Sequence, residues 1–268
     1  VKTDLDIKFT SKCVILTNGT FLNGLMHIGK HKQKGGRISE PESKYISEQL
    51  LALGFNVGRM KTGTPVRIDG RTVNFSKLIE QKGDEVYAKF SFLPENRLKL
   101  KQLSCYMAYT NSETHNILQT GFEESPMFDG TIKSIGPRYC PSIETKLVTF
   151  SGKDSHLLFL EPEGETTIEY YLNGYSSSLS WDVQLQALRK IEGFEHVKIF
   201  RPGYAIEYDY FDPTQLNHTL ETKLIKNLYF AGQINGTTGY EEAGAQGLIA
   251  GINAHNRCNG KSDFVLQR

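Results

Sequence analysis

A cysteine between a basic residue and a proline is the arrangement in this sequence with the clearest chemical potential. Arg138, Cys140 and Pro141 lie in the run Gly136-Pro-Arg-Tyr-Cys-Pro-Ser-Ile-Glu144. Proline suits the first position of a helix, so Pro141 predicts a helix that starts beside Cys140. A helix start and a nearby cation both stabilise a thiolate, which is the nucleophilic form of cysteine. From the residues alone, an inert, half-buried cysteine in a proline-containing loop is the alternative.

A strand, a glycine turn and a helix near the C-terminus form a second candidate site. Leu228–Ala231 is a short apolar run typical of a buried strand, and residues 240–256 have the pattern of a helix with acids in its first turn. Gly244, Gly247 and Gly251 lie inside that helix, where each costs about 1 kcal/mol relative to alanine. Some other interaction is therefore expected to compensate for the three glycines.

Small side chains on this predicted helix follow helical spacing, at Ala243, Gly247, Ala250 and Ala254. The nearly bare face that results would allow close approach to a sheet or to a ligand. Free backbone N–H groups at a helix start also bind anions. A cofactor site and tight helix–sheet packing without a ligand are both compatible with this pattern.

Two basic stretches offer possible anion contacts. The run Arg59-Met-Lys-Thr-Gly-Thr-Pro-Val-Arg67 predicts a rigid turn suited to phosphate or carboxylate ligands, with a solvated surface turn as the alternative. Residues 20–36 are rich in glycine and lysine and predict an exposed basic loop. His27 and His31 have the spacing of a metal pair on a helix, but Gly29 interrupts them and no acidic partner follows. We therefore expect no metal site.

The length, net charge and composition are those of an ordinary globular protein. Its 268 residues carry a net charge of +1 and are 38% hydrophobic, so no overall field attracts nucleic acid or a membrane. The four cysteines form no CxxC pair, which argues against a zinc ribbon and suits a reducing cytoplasm. The sequence begins without an apolar signal core, and no apolar run approaches the roughly 20 residues that span a bilayer. A cytoplasmic protein without a membrane segment is expected.

The elements that would position these residues are a sheet with contributions from both ends of the chain and a long insertion. Lys12–Gly19 predicts a buried strand that ends in a glycine turn, like Leu228–Gly232. Further predicted helices are 47–53, 111–118 and 181–191, and further predicted strands are 101–110, 147–150, 156–160, 168–172 and 197–210. Glu207 and Asp209 alternate on the last of these strands. Paired acids are one interpretation, and an edge strand facing water is the favoured one.

Several motifs, taken together and in order, resemble the GidA/MnmG family of flavoproteins. They are Thr17–Leu22, Gly35–Arg37, Gly58–Pro65, Gly136–Glu144, Phe159–Gly164, Pro202–Asp209 and Ala231–Glu242. The family is more than twice as long as this chain and begins with a glycine-rich FAD-binding unit. The resemblance therefore accounts for the absence of a G-x-G-x-x-G fingerprint here. Asn18 and Thr145 depart from the usual threonine and aspartate, with no expected effect on the chemistry.

The resemblance implies an α/β fold: part of a Rossmann-like, two-dinucleotide-binding FAD domain with a mixed α/β NAD-binding insertion. It implies residues 1–66 and 171–268 as the two parts of the FAD-binding domain and residues 67–170 as the insertion. The implied function is modification of C5 of the tRNA wobble uridine with FAD, NADH, a folate one-carbon donor and the GTPase MnmE. A homodimer of the longer protein is implied as well.

The resemblance also implies roles for individual residues. Cys140 would be the catalytic thiol, and a second catalytic cysteine of the family would precede Val1. The FAD contacts would be Ser43, Gln233, Asn235 and Gly236. The NAD-binding region would comprise Gly136, Pro137, Arg138, Tyr139, Cys140, Pro141, Ser142, Ile143, Glu144, Thr145, Lys146, Leu147, Val148, Thr149 and Phe150. Basic residues of 30–37 and 59–71 would contact either tRNA phosphates or the flavin phosphates.

Overall fold

The structure, a computed structural model, describes residues 1–85, 91–92, 101–134, 136 and 141–267. Its strands are β1 (Val14–Leu16), β2 (Leu25–Ile28), β3 (His31–Lys34), β4 (Val57–Asp69), β5 (Ile79–Gln81), β6 (Cys105–Tyr109), β7 (Leu157–Pro162), β8 (Glu169–Ser176), β9 (Ile199–Arg201), β10 (Tyr204–Phe211) and β11 (Leu228–Phe230). Its helices are α1 (Ile46–Ala52), α2 (Ser112–Thr120), α3 (Ile143–Thr149), α4 (Trp181–Leu188) and α5 (Tyr240–Cys258).

Two sheets organise these elements. The first pairs β1 with β11 in parallel, with Ile15 opposite Tyr229. This confirms the prediction that strands near the two ends of the sequence belong to one sheet. The second is antiparallel and runs in the order β3-β2-β10-β4-β8-β7-β6-β5, with β9 also paired to β4. The α/β fold class predicted from the sequence is confirmed.

The boundaries predicted for the domains fall inside two strands of the second sheet. β4 runs across residues 66 and 67, and β8 runs across residues 170 and 171. β4 pairs with β10 through its first half and with β8 through its second half. The division into a FAD-binding part and an insertion stays a prediction.

The prediction of an exposed loop for residues 20–36 is wrong over β2 and β3, which form a hairpin. Met26 packs in a buried cluster with Met60 and Tyr208, and its neighbour His27 is fully buried as well. β3 is the edge strand and all four of its residues are exposed. The lysines that indicated a loop are therefore the solvated edge of a sheet.

The prediction of a rigid turn around Arg59–Arg67 is also wrong, because this run lies within the 13-residue strand β4. Arg59 and Lys61 lie opposite Asp209 and Glu207 in the pairing of β4 with β10. The acids on the neighbouring strand explain why basic residues occur in a central strand. The pairing with β8 shifts register between Pro65 and Arg67, since proline has no N–H to donate to the ladder.

The favoured interpretation of Glu207 and Asp209 as an exposed edge is wrong for the same reason. β10 lies between β2 and β4, and both carboxyl side chains are buried. The rival interpretation of paired acids is not confirmed either, because Glu207 contacts His27 and Ser134 whereas Asp209 contacts Arg59 and Asn23.

The predicted strand 147–150 belongs instead to α3. Ser142 caps this helix by accepting a hydrogen bond from the N–H of Thr145, and Ile143 and Leu147 bury one helical face. Pro141 precedes the cap, so it does not occupy the first helical position that the sequence analysis gave it.

The largest core lies between the second sheet and α2, α3 and α4. Its strand residues include Val66, Leu158, Leu160 and Leu172, and its helix residues include Leu118, Ile143, Leu147 and Leu188. A smaller cluster joins Phe55, Phe211 and Phe230 and connects β11 to the end of β10. This aromatic contact brings the two sheets together beside the turn that follows β11.

Candidate cofactor-binding site

The carboxyl ends of the parallel strands β1 and β11 lie side by side, and we call the space beyond them the crevice, because α/β proteins bind ligands at such strand ends. A glycine turn follows each strand, at Gly19 and at Gly232. A methyl group added to Gly19 would lie 3.7 Å from Oε1 of Gln233. The two turns therefore meet, and Gln233 lies between them.

The turn after β11 needs glycine at two positions. Gly232 has φ 87° and ψ −143°, a backbone conformation open only to glycine, and Gly236 has φ 77° and ψ 14°. A Cβ on Gly236 would lie 3.1 Å from the ring of Tyr210. These glycines direct the chain from β11 through a short 3₁₀ turn, Gln233–Asn235, to the start of α5.

A network of amide side chains holds this turn. Oε1 of Gln246 accepts hydrogen bonds from the N–H of Gly232 at 2.9 Å and from Nδ2 of Asn235 at 2.8 Å. Nε2 of Gln246 donates to the hydroxyl of Thr237 at 3.1 Å, and Nδ2 of Asn235 also donates to the carbonyl of Phe230. The sequence analysis missed Gln246, although its position nearly two helical turns into α5 brings its side chain to the turn after β11.

Asn235 has one buried polar atom without a partner. Its side chain is buried, and among the described residues no group donates a hydrogen bond to its Oδ1 atom. A buried carbonyl oxygen without a donor is costly, so this atom is a suitable acceptor for a hydrogen-bond donor of a bound ligand.

Gln233 is the second polar side chain of the turn. Its Nε2 donates to the hydroxyl of Tyr208 at 3.3 Å, and burial raises the pKa of that phenol to about 12. Tyr208 is therefore neutral at physiological pH. Its hydroxyl accepts this hydrogen bond and so orients the Gln233 side chain. The contact also connects the turn to β10 of the second sheet.

Ser43 lies beside the segment that continues from β1. Its N–H donates to the carbonyl of Phe21 at 2.7 Å, and its carbonyl accepts from the N–H of Asn23. The hydroxyl of Thr20 binds the carbonyl of Gly36, where a Cβ would overlap the Phe21 ring. The structure thus brings Ser43 to the Gly19 side of the crevice, Asn235 and Gly236 to the other side, and Gln233 between the two turns.

Helix α5 presents two different small-residue faces. Ala250 and Ala254 pack against Tyr229 of β11 and against Ala231, which directly follows this strand, and this confirms the close helix–sheet approach. The three helix glycines do not contribute to this packing, because a methyl on Gly244, Gly247 or Gly251 would meet open space. Gly247 and Gly251 line an open cavity of about 360 Å³ with Leu248, Ile252 and His255.

The first part of the stretch predicted to bind NAD is only partly described by the structure. Pro137, Arg138, Tyr139 and Cys140 fall outside the described residues, so the predicted roles of Arg138 and Cys140 stay predictions. Gly136 is described and approaches the backbone of Lys61 on β4.

The remainder of this stretch forms α3 and its flanks. Oε1 of Glu144 accepts from the N–H of Ser178 at 2.6 Å and from its hydroxyl at 3.0 Å. Nζ of Lys146 donates to the carbonyl of Gly174 at 2.9 Å. Ser142, Ile143 and Leu147 are buried, while Val148, Thr149 and Phe150 are exposed and Pro141 and Thr145 are half-buried. These residues form a second group, on elements other than the turn after β11.

Polar residues of β2, β4 and β10 form a buried charged surface on the face of the sheet opposite Tyr208. Oε2 of Glu207 lies 2.9 Å from Nε2 of His27, and its Oε1 accepts from the hydroxyl of Ser134 at 2.8 Å. Burial is the main cause that lowers the pKa of His27, so this imidazole is neutral. Asp209 binds Arg59 and Asn23, each at 2.8 Å.

The described residues contain neither a candidate metal site nor a membrane-spanning helix. No group of three or more histidine, cysteine or carboxylate side chains in that part of the chain could hold a metal ion. No described helix is long and apolar enough to cross a membrane.

A parallel strand pair whose glycine turns meet, continued by a helix with a bare face, defines this protein as an α/β protein of the dinucleotide-binding class. Over residues 1–262 the sequence matches the family described as glucose inhibited division protein A, GidA. The chain belongs to this family. The family prediction made from the motifs is confirmed.

Curated relatives and a solved structure are similar over the whole chain. The tRNA uridine 5-carboxymethylaminomethyl modification enzyme MnmG of Parabacteroides distasonis is 62% identical over 268 residues, which are 100% of this chain and 43% of that protein. MnmG of Bacteroides fragilis is 60% identical with the same coverage. GidA of Aquifex aeolicus is 48% identical with a TM-score of 0.91, over 99% of this chain and 45% of the other. The chain therefore spans less than half the length of these relatives.

Proposed function

We propose that this chain is the part of a tRNA-modifying flavoenzyme that binds FAD and NADH and acts on C5 of the wobble uridine. The product would carry a carboxymethylaminomethyl or aminomethyl group. The enzymatic name of relatives about 60% identical supports this function. The observation in the fold that carries it is the crevice where the turns after β1 and β11 meet, with Gln233 between them.

FAD fits the residues of this crevice. The buried Oδ1 atom of Asn235 lacks a donor among the described residues, and Gln233 is oriented by Tyr208. FAD would supply the redox chemistry, and these residues together with Ser43 would bind and orient it.

NADH would bind along Gly136–Phe150. The described part of this stretch has the features of an anchored binding segment, because Ile143 and Leu147 are in the core and Glu144 is buried against Ser178. Lys146 lies near this anchor and supplies a positive charge. Arg138 would be a further anion partner, as the resemblance implies.

Cys140 would be the catalytic thiol that attacks the uracil ring or activates the reaction intermediate. A thiolate is the reactive form, and Arg138 two residues earlier would stabilise it. A Cys140→Ser variant with full tRNA modification would refute this role.

The exposed edge strand β3 is our candidate for contact with tRNA phosphates. Its four residues, His31 to Lys34, include two lysines and are exposed. Replacing Lys32 and Lys34 together with alanine should weaken tRNA binding and reduce the salt dependence of the affinity by about two units of slope at most. An unchanged salt slope would assign these lysines to general solubility.

The partners proposed for the complete protein are the GTPase MnmE and a second copy of itself, in the cytoplasm. The support is the membership in the GidA family. Light scattering of the holoprotein should give the mass of a dimer, and a monomer at all concentrations would contradict the second partner.

The function is tested by reconstitution with unmodified tRNA, MnmE, a folate donor, FAD and NADH, followed by mass analysis of the wobble nucleoside. We expect a modified uridine that requires both cofactors and Cys140. NADH oxidation that is indifferent to tRNA and MnmE would favour a small-molecule flavin oxidoreductase. Binding of tRNA without any modification, and without an effect of Cys140→Ser, would favour a non-catalytic binding module.

A further inference from the structure

Two aromatic side chains are exposed beside the tip of the β2–β3 hairpin. Phe128 belongs to the segment that follows α2, and Trp181 is the first residue of α4. Their exposed fractions are 42% and 39%, although aromatic rings gain more from burial than most side chains do. Both lie outside the candidate FAD crevice and outside the predicted NAD-binding stretch. Their function therefore has to be sought in a ligand that neither cofactor assignment includes.

The loop before α4 brings three segments together at this place. The carbonyl of Ser178 accepts a hydrogen bond from the N–H of Gly29 at 2.6 Å, and its hydroxyl lies 3.4 Å from the hydroxyl of Ser125. Gly29 has φ 54°, and a Cβ there would lie 3.1 Å from the backbone of Ser180. The hairpin tip, the segment that carries Phe128 and the start of α4 are therefore neighbours.

The segment that carries the exposed phenylalanine is attached to the hairpin at two places. Lys30 at the hairpin tip forms an ion pair of 2.6 Å with Glu124. At the other end of the segment, the hydroxyl of Ser134 donates to Glu207, whose second carboxyl oxygen lies 2.9 Å from His27 of β2. The phenylalanine lies between these two attachments in the sequence, so the segment holds it beside the hairpin.

A compact turn presents the ring of Phe128. The N–H groups of Phe128 and Asp129 both donate to the carbonyl of the buried Ser125, at 2.9 and 3.0 Å. The ring packs against that of Phe122 with the centroids 4.9 Å apart, and Phe122 in turn packs against the largest core. The exposed ring is thus preorganised, which lowers the entropy that is lost when a ligand binds.

Exposed lysines lie on the hairpin and on the segment beside it. They are Lys32 and Lys34 of β3, and Lys133. Lys32 lies opposite His27 in the pairing of β2 with β3, and Lys133 directly precedes Ser134, so both are close to the second attachment. Positive charge is therefore available beside the two aromatic rings.

Acidic side chains limit how much negative charge this surface can bind. Glu124 pairs with Lys30. Hydrogen bonds from Thr131 lower the pKa of Asp129, and the charge of Lys32 adds a smaller effect. The exposed acids on or next to the surface are Glu123, Glu124, Asp129 and Asp182. They repel the dense phosphates of a duplex, whereas a loop whose bases face the protein brings fewer phosphates close.

An unpaired loop of RNA combines the two features that this surface can bind. Unstacked bases pack on aromatic side chains with little regard to their identity, and lysines bind the phosphates between them. An enzyme that acts on a base must take that base out of its stack. Removal of the wobble uridine would expose the faces of the neighbouring bases, which then need a new stacking partner.

We propose that Phe128 and Trp181 form a stacking surface for unpaired bases of the tRNA anticodon loop, with Lys32, Lys34 and Lys133 beside the phosphates. The inference rests on the proposed function, which makes tRNA the substrate. It adds selection for an unpaired loop to the phosphate contact of β3, because the bases of a duplex are not available for stacking.

The test compares two fluorescein-labelled RNAs on the FAD-loaded holoprotein by fluorescence anisotropy. One RNA is an anticodon stem–loop with an unmodified uridine at the wobble position, and the other is a continuous duplex of the same length. Phe128→Leu and Trp181→Leu remove a ring and keep an apolar side chain, whereas Phe128→Tyr keeps the ring. Phe200→Leu is the matched control, because Phe200 is 44% exposed on β9, which pairs with β4 and not with the hairpin.

We expect Phe128→Leu and Trp181→Leu each to weaken binding of the stem–loop by at least about fivefold, the lower limit for the loss of one stacked base. The dependence of the affinity on salt should stay unchanged, because neither substitution removes a cation. Phe128→Tyr and Phe200→Leu should bind the stem–loop like the wild type, and all variants should bind the duplex alike. Thermal unfolding identifies variants that fail to fold, and the Phe128 series decides if Trp181→Leu is one of them.

Equal affinity of Phe128→Leu and Phe200→Leu for the stem–loop would overturn the inference, as would equal losses for the stem–loop and the duplex. Unchanged RNA affinity together with a weaker complex with MnmE would assign the surface to a protein partner and would also overturn it. A wild-type holoprotein that neither binds the stem–loop nor modifies tRNA would overturn the proposed function. A wild-type holoprotein that modifies tRNA, with variants that bind the stem–loop equally well, would overturn the stacking surface alone.

Discussion

Replacing Gln246 with leucine tests whether the amide network holds the turn after β11 in its binding conformation. The substitution keeps the size of the side chain and removes three hydrogen bonds, to Gly232, Asn235 and Thr237. It leaves the N–H of Gly232 without this acceptor on a buried residue.

The magnitude follows from the number of bonds. Each hydrogen bond contributes a net 0.5–1.5 kcal/mol or so, and Gln246 is half-buried, which favours the lower part of this range. We expect the free energy of unfolding to fall by about 2 kcal/mol and FAD affinity to fall by at least about tenfold. Urea unfolding and a flavin fluorescence titration measure the two quantities.

Gln215→Leu is the matched control. Gln215 is also half-buried and also makes three hydrogen bonds, to the N–H and carbonyl of Asn56 and to the carbonyl of Asp212, but these bonds are exposed to solvent and lie on another loop. It should cost less than about 1 kcal/mol and leave FAD affinity unchanged. If Gln246→Leu and Gln215→Leu had the same affinity for FAD, the turn would not depend on its amide network and the reasoning would be refuted.

Three further predictions concern stability. Burial lowers the pKa of His27, His115 and His156 in the folded state. The unfolded chain therefore binds more protons than the folded chain as the pH falls through about 6.5. The free energy of unfolding should fall by up to about 1.4 kcal/mol per pH unit for each histidine. Urea unfolding between pH 7.5 and pH 5.5 checks this, and a flat profile would contradict it. Gly232→Ala should destabilise the fold by about 1–3 kcal/mol because of the backbone conformation at that position, and a melting temperature equal to that of the wild type would be the contrary result. Gly244→Ala should stabilise α5 by up to about 1 kcal/mol because a methyl meets open space there, whereas a lower melting temperature would show that the exposed glycine face is already in contact with another part of the protein.

The sequence predicted the elements whose signals are local. The apolar runs at β1 and β11, the acids and spacing of α5, and the helix predicted at 111–118, which is α2, all appear in the structure. Each of these follows from propensity, periodicity or capping within a few residues. The glycine turn after β11 was predicted for the same reason, since Gly232 and Gly236 are residues that favour turns.

The errors occurred where the partner strand decides the environment. Arg59 and Lys61 look like surface residues until β10 places Asp209 and Glu207 opposite them. His27 looks like part of a basic loop until Glu207 accepts its hydrogen bond. No local pattern contains these pairings, because the residues lie about 150 or more positions apart in the sequence.

Helix α3 shows a different limit. Leu147–Phe150 has strand-like content, but Ser142 caps a helix, and the burial of Ile143 and Leu147 on one face stabilises it. Tertiary packing here overrides a short apolar run whose periodicity is ambiguous. The cofactor and catalytic assignments of the individual residues remain proposals.

The most direct test of the central claim is a titration of the cofactor-free protein with FAD. Absorbance and flavin fluorescence report the binding. We predict stoichiometric FAD binding that Gln233→Ala weakens by at least about tenfold, the loss expected when a polar contact in a desolvated site is removed. Gln215→Ala should bind FAD like the wild type. Equal FAD affinity of Gln233→Ala and the wild type would show that the turn after β11 is not the flavin site.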